Sequence, residues 1–156
     1  MGIIERNHVL IKGAGTTPMV FAHGFGCDQQ MWRYVAPAFE QEYRTVLFDY
    51  VGAGKSDWQA YDPERYKDLC GYASDLLEVC AAANIEHCIF IGHSVSSMIG
   101  ILAAIRKPAL FQKLILICPS PCYINQPDYI GGFEREDIEQ LIGLMSLNSQ
   151  SWASFL

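Results

Sequence analysis

The sequence is short of positive charge, and it contains no long hydrophobic run. Its 156 residues carry 11 lysines and arginines against 17 aspartates and glutamates, a formal net charge of −6. Gripping a nucleic-acid backbone takes clustered cations, so nucleic acid is excluded as a partner. No apolar stretch reaches the roughly 18 residues that cross a bilayer, and no early segment joins a basic region to an apolar one as a secretory signal does. No membrane partner is expected, and the expected setting is cytoplasmic. The six cysteines, at 27, 70, 80, 88, 118 and 122, form no CxxC pair, and Cys118 and Cys122 have no histidine nearby, so no zinc site is expected. Cys80 and Cys88 fall inside apolar periods, where a thiol packs as a small hydrophobe. Buried free thiols in a reducing compartment are expected, with neither metal nor cofactor. Internal repeats and low-complexity segments are also absent.

What is present is apolar: 51% of residues are hydrophobic and 18% charged, enough to build one sizeable core. Two short β-like runs, Val9 to Lys12 and Met19 to Ala22, are separated by a Gly/Thr/Pro cluster and read as neighbouring strands. A helical patch follows, capped by Asp28, with Trp32, Val35, Ala36 and Phe39 on one face and a break at Pro37. Thr45 to Phe48 reads as a buried strand, ending at Asp49 and a glycine-rich loop. From Tyr66 to Asn84, Leu69, Ala73, Leu76, Leu77, Cys80 and Ala83 recur at helical steps. Cys88 to Ile91 is the next strand, Ser96 to Arg106 the next helix, and Leu114 to Ile117 the strand after that. Alternation of this kind predicts an α/β fold with a mostly parallel sheet and right-handed crossovers. After Pro119 the pattern changes to a Pro/Gly/Tyr-rich loop. A helix follows, with acidic Glu134, Glu136 and Asp137 at its start and Ile138, Leu141, Ile142 and Met145 on one face. The division expected is a core over 1–120 and a separate helical element over 121–156, which finishes on the apolar WASFL.

The stretch FIGHSVSSMIG, residues 90–100, sets Ser94 between a buried strand and a helix. A tight strand-to-helix turn presents a hydroxyl above the free N–H groups of the helix N-terminus, and Gly92 leaves the bend room. GHSVS, with HGFG at 23–26 and DYVGAGKSD at 49–57, resembles the α/β-hydrolase fold in both order and spacing. More narrowly, these motifs together with PSPCYINQPDYIGGFE resemble the bacterial hydrolases of energy-stress signalling through sigma factor B, a subfamily shape shared with plant karrikin and strigolactone receptors.

The resemblance implies Ser94 as nucleophile and the backbone N–H groups of Phe25 and Val95 as an oxyanion hole, with Gly24 and Gly26 letting the loop pass close to substrate. Asp49, Gly52 and Gly54 shape a neighbouring loop. The implied activity is a serine hydrolase acting on a small ester, lactone or acyl compound, with a stress-signalling role. A binding module that senses a small apolar or neutral ligand and contacts a signalling phosphatase is the alternative, and an inert truncated fragment is the third reading.

Two features depart from the pattern. Ser96 stands where GxSxG has its second glycine, a substitution expected to fit at a modest packing cost. The four histidines, 8, 23, 87 and 93, all precede Ser94, whereas the fold places its acid and histidine after it. His93 diverges from its neighbour at a sharp turn, His23 is expected to order the oxyanion loop, and His8 and His87 read as surface residues. An acid after the LILI strand would have to lie near Cys118 to Ser120, where there is none. The chain is therefore expected to be the N-terminal portion of the fold with the start of a helical lid, to have little activity alone, and to leave LILI as an apolar sheet edge.

Overall fold

A computed structural model describes residues 1–147; the WASFL segment lies outside the described residues. The chain divides into two units, Met1–Pro119 and the segment from Ser120 onward.

The first unit is built on five strands, β1 (Leu10–Lys12), β2 (Thr17–Ala22), β3 (Tyr43–Leu47), β4 (Cys88–His93) and β5 (Phe111–Ile117), in the order β1-β3-β2-β4-β5. All neighbours run parallel except β1, which pairs antiparallel with β3. The expectation that the first two strands are neighbours is therefore wrong, because β3 lies between them. Its first residue comes tight against the β1–β2 connection: a Cβ at Gly13 (φ +92°) would lie 2.2 Å from the Tyr43 carbonyl oxygen.

Successive side chains of β2 point to opposite faces, and both faces are covered, which is why the run reads as continuously apolar. Val20 and Ala22 join Val46, Phe48, Phe90 and Ile99 on one side, against α2 (Leu69–Ala82) and α3 (Val95–Arg106). Met19 and Phe21 join Leu47, Ile89, Ile91 and Trp32 on the other. The helical patch after β2 is two 3₁₀ turns, Gln29–Trp32 and Ala36–Phe39, with Asp28 accepting from the Gln30 N–H as its cap. Pro37 lies in the first turn of the second piece, and Val35, expected on the apolar face, is 45% exposed.

Helix α2 is capped by Asp68 and buries Ala73, Leu76 and Cys80 as its period predicts, along with Val79. It also buries Asp75, which the apolar pattern gave no reason to expect. The Asp75 carboxylate, with no exposed side-chain surface, accepts from Arg6 at 3.1 Å, Arg65 at 2.6 Å and the Tyr66 hydroxyl at 3.0 Å. Glu78, one turn on, is bound by the same two arginines. The four charges tie α2 to α1 (Ile3–Arg6) and to the loop before α2. Cys80 and Cys88 are core residues as expected, but Cys70 and Cys118 are exposed.

β5 has β4 as its partner among the described residues and lies at the sheet edge, with Ile115 44% and Ile117 37% exposed. In the second unit, a compact loop brings Asn125 N–H to the Phe133 carbonyl at 2.8 Å, and α4 (Arg135–Leu147) follows, with Glu136 and Asp137 in its first turn.

Candidate active site

The chain leaves β2 toward β3 on one side and returns across the sheet to β4 on the other. The carboxyl ends of β2 and β4 are therefore a topological switch point, the crevice where parallel sheets receive ligands. Both signature loops start there. Gly24 and Phe25 follow β2, and Ser94 links β4 to α3.

Ser94 has φ 55° and ψ −120°, a left-handed region that side chains rarely enter. The bend is held from several directions. The Ser94 N–H donates to the Ile117 carbonyl at 2.8 Å, and the Ser97 hydroxyl donates to the Gly92 carbonyl at 2.9 Å. A Cβ on Gly92 would lie 2.7 Å from the Ser96 carbonyl oxygen, so glycine is what lets α3 sit this close to β4. Val95 is the first residue of α3, so its N–H has no acceptor within the helix.

The loop of residues 23–26 touches this bend directly. A Cβ on Gly24 would stand 2.6 Å from His93 Nδ1 and 3.3 Å from Ser94 Cβ. Gly24 thus makes room for the elbow itself. Gly26 has open space around it and needs glycine for its φ of +70° instead. The Phe25 side chain is 64% exposed.

His23 orders this loop, in line with expectation. It is buried, its Nε2 accepts from the Tyr50 N–H at 3.2 Å, and its Nδ1 lies 2.9 Å from the Gly24 carbonyl. With Nε2 accepting, the ring proton belongs on Nδ1, which donates to Gly24. Burial pushes the imidazole below its usual 6.5, and the Gly24 carbonyl and the charges of Asp49 and Asp28 only partly oppose this. His23 is a neutral strut with both nitrogens engaged. His93 Nδ1 is buried and has no hydrogen-bond partner. His8 is half-buried and His87 exposed.

Asp49 is the post of the neighbouring loop. Its carboxylate accepts from the Gln29 and Lys55 N–H groups at 2.8 and 2.9 Å, and its backbone exchanges hydrogen bonds with Asn7. Gly54 is pressed against it, since a Cβ there would lie 2.5 Å from Asp49 Oδ2.

Ser96 does more than fill the glycine position. It is fully buried, its hydroxyl donates to the His23 carbonyl, and the Tyr50 hydroxyl lies 3.2 Å away. Because the Ser96 proton is committed to His23, Tyr50 is the donor of that second bond. A single oxygen thus links the elbow helix, the loop of residues 23–26 and the loop after β3. Sequence reasoning missed this, because a small residue in a glycine slot signals fit and says nothing of the carbonyl facing it. Ser96→Ala keeps the volume and removes the oxygen, stranding the Tyr50 hydroxyl in a buried site. The expected loss is about 1–3 kcal/mol by urea denaturation, and Tyr50→Phe added to it should cost less than it does alone. A loss below about 0.5 kcal/mol, the scale of a neutral surface change, would mean that the serine is filler.

A pocket of about 510 Å³ opens beside the elbow, bounded by Phe25 and Val95, Tyr50 and Val51, and Leu69 and Tyr72. It meets both residues expected to form the oxyanion hole; Ser94 is not among its lining residues but is bonded to Val95, which is.

Comparison with known proteins gives a consistent match. The α/β-hydrolase fold family matches residues 17–140. The chain is 45% identical over 155 residues to a karrikin-insensitive-2 receptor of Petunia hybrida, covering 99% of this chain and 57% of that protein. It is 45% identical over 150 residues to a strigolactone esterase of Arabidopsis thaliana, covering 96% and 56%. A solved hydrolase from Oleispira antarctica superposes with a TM-score of 0.94 at 44% identity, covering 98% of this chain and 56% of that one. The chain spans about half the length of the curated relatives it matches.

Proposed function

The chain belongs to the α/β-hydrolase fold family, and from that premise we propose that it carries the nucleophile and oxyanion hole of a serine hydrolase for small esters or lactones. The observation that carries this reading is Ser94 itself, held at φ 55° between β4 and α3. Proteins keep a non-glycine residue in such a conformation only where the surroundings enforce it, typically at functional sites.

In the proposed mechanism Ser94 Oγ attacks the ester carbonyl carbon while a general base takes its proton. The carbonyl oxygen gains the negative charge and is held by the N–H groups of Phe25 and Val95 at the positive end of α3. Collapse expels the alcohol with a proton returned by the base, and water then releases the acyl group from Ser94 by the same steps.

The base is the piece these elements do not supply. His23 has both nitrogens engaged, and His93 Nδ1 faces Gly24. We therefore take residues 1–120 as the core and 121–156 as the start of a lid, with the acid and histidine on chain beyond them. Purified 1–156 given p-nitrophenyl acetate should release p-nitrophenol at the rate of a Ser94→Ala control. A chain extended with the residues that follow in its reading frame should turn over and lose about 10³-fold or more on Ser94→Ala, as expected for a lost nucleophile. A Ser94-dependent burst from 1–156 alone would sink the claim that the base lies elsewhere.

A receptor role is the second reading. It draws on the similarity to a karrikin-insensitive-2 receptor and on the exposed apolar side chains Tyr123, Ile130 and Phe133 in the second unit. A signalling phosphatase, as in sigma-factor-B control, is the partner this reading names. Capture of a purified candidate phosphatase that survives Ser94→Ala and fails on Ile130→Asp would support it.

A further inference from the structure

The pocket beside the elbow is unusual in what its walls withhold. It lies at the ends of β2, β3 and β4, where the polar groups of three loops converge, yet those groups are turned away into bonds of their own. His23 Nε2 takes the Tyr50 N–H, the Tyr50 hydroxyl goes to Ser96, and the Gly52 N–H goes to the Ser56 hydroxyl at 3.1 Å. The Ala53 N–H bonds the Tyr50 carbonyl, the Lys55 N–H bonds Asp49, and the Trp58 indole N–H reaches the Gly54 carbonyl. Most of what remains facing the space is ring and aliphatic surface.

The floor is also fixed in advance. Tyr50 packs edge-on against Phe48 at 4.9 Å and against Tyr72 at 5.6 Å, and Tyr72 packs on Tyr66 at 4.9 Å. Interlocked rings of this kind leave few rotamers to lose on binding. At the rim stand two large aromatic side chains, Phe25 and Trp58, each 64% exposed, which is apolar surface that an occupant would cover.

We propose that this pocket, bounded by Tyr50, Ala53, Trp58, Leu69 and Tyr72, binds an uncharged aromatic group. That group is one arm of the ester whose carbonyl is held between Phe25 and Val95. The pocket is bounded by those two residues as well, so an arm seated in it lies beside the first turn of α3. Charged arms are refused, because among the described residues no Asp, Glu, Lys or Arg lines the pocket and desolvation goes unrepaid. The assignment to an ester substrate rests on the hydrolase reading; occupancy of the pocket by an aromatic ring does not.

The test uses Ser94→Ala protein, so that hydrolysis plays no part. Phenyl acetate, ethyl acetate and sodium acetate are titrated while backbone amide shifts are followed by NMR. Phenyl acetate is expected to shift Val51, Gly52, Leu69 and Tyr72 saturably and to bind about tenfold more tightly than ethyl acetate, with no saturable effect from acetate. Ala53→Phe, which fills the pocket, should weaken phenyl acetate about tenfold, and Trp58→Ala, at an exposed position that does not threaten the fold, about threefold. Shifts centred elsewhere, such as the β5 edge, or affinity indifferent to both substitutions, overturn the proposal. If phenyl acetate binds as expected and the extended chain hydrolyses nothing, the pocket stands and the hydrolase reading falls.

Discussion

Asp75→Ala is expected to remove about 3–5 kcal/mol of stability, the cost of breaking a buried charge pair by deleting one side. The carboxylate is fully buried and holds Arg6, Arg65 and the Tyr66 hydroxyl. Its loss leaves two guanidiniums and a hydroxyl short of a partner. Glu78 still binds both arginines, at 2.7 and 2.9 Å, and this cushions the loss toward the lower end of the range. Arg6 adjoins Asn7, which bonds Asp49, so the damage also reaches the loop after β3, beside the candidate site. In urea the midpoint should fall with the slope unchanged; a shift worth less than about 1 kcal/mol, the upper end for an exposed pair, would mean that the cluster behaves as a surface one. Asp75→Asn, which keeps the acceptor oxygen, should cost less. Burial pulls Glu78 upward, but the hydrogen bonds from Arg65 and Arg6 outweigh it and hold the carboxyl below its ordinary 4.5. A depressed carboxylate means that the unfolded chain takes up the proton first. This contribution is therefore complete above that value and lost as pH falls through the lower folded one.

Gly71→Ala sets two effects against each other. Helix propensity alone favours alanine by about 1 kcal/mol inside α2. The new methyl, however, would lie 2.0 Å from the Arg65 carbonyl oxygen, 2.8 Å from its carbon and 3.2 Å from the Tyr66 ring. The first two are backbone atoms, which cannot swing aside as a side-chain tip can. The loop carrying Arg65 must lift off the helix, pulling Arg65 away from Asp75 and Glu78. The clash wins, with an expected net loss of about 1–3 kcal/mol, the usual cost of overpacking. Combined with Asp75→Ala the losses should fall short of their sum, because both dismantle the Arg65 contact. Stabilisation by Gly71→Ala in thermal melts would show that the loop does not rest on the helix.

The strands and helices of the sheet were legible because each buries a face at a fixed period. Val20 and Phe21, on opposite faces of β2, signal a doubly covered strand whatever lies beside it. Strand neighbours were not legible. The insertion of β3 between β1 and β2 depends on where the chain passes after Gly13 and Gly15, and apolar pattern carries no record of that. The elbow could be read from Gly92, Ser94 and the helix that follows, since the turn needs those residue types. Ser96, Asn7 and Asp75 escaped because their importance lies in partners that no local pattern reveals: Ser96 and His23 are 73 residues apart, Asp75 and Arg6 69, and Asn7 and Asp49 42. A buried aspartate on α2 looks like a solvated residue until Arg6 and Arg65 are seen to converge on it.

The strand order also sets a timetable for the ribosome. β2 is made early and lies in the middle of the described sheet, but its second neighbour, β4, pairs with it through Met19 and Ile89, so α2 must be synthesised in between. At roughly 5–20 residues per second, the nascent chain spends seconds with one edge of β2 open and with Leu76 and Val79 of α2 lacking β4 to pack against. A chaperone that recognises short apolar segments has its binding window in that interval, and the window closes when Ser94 and the first turns of α3 leave the exit tunnel.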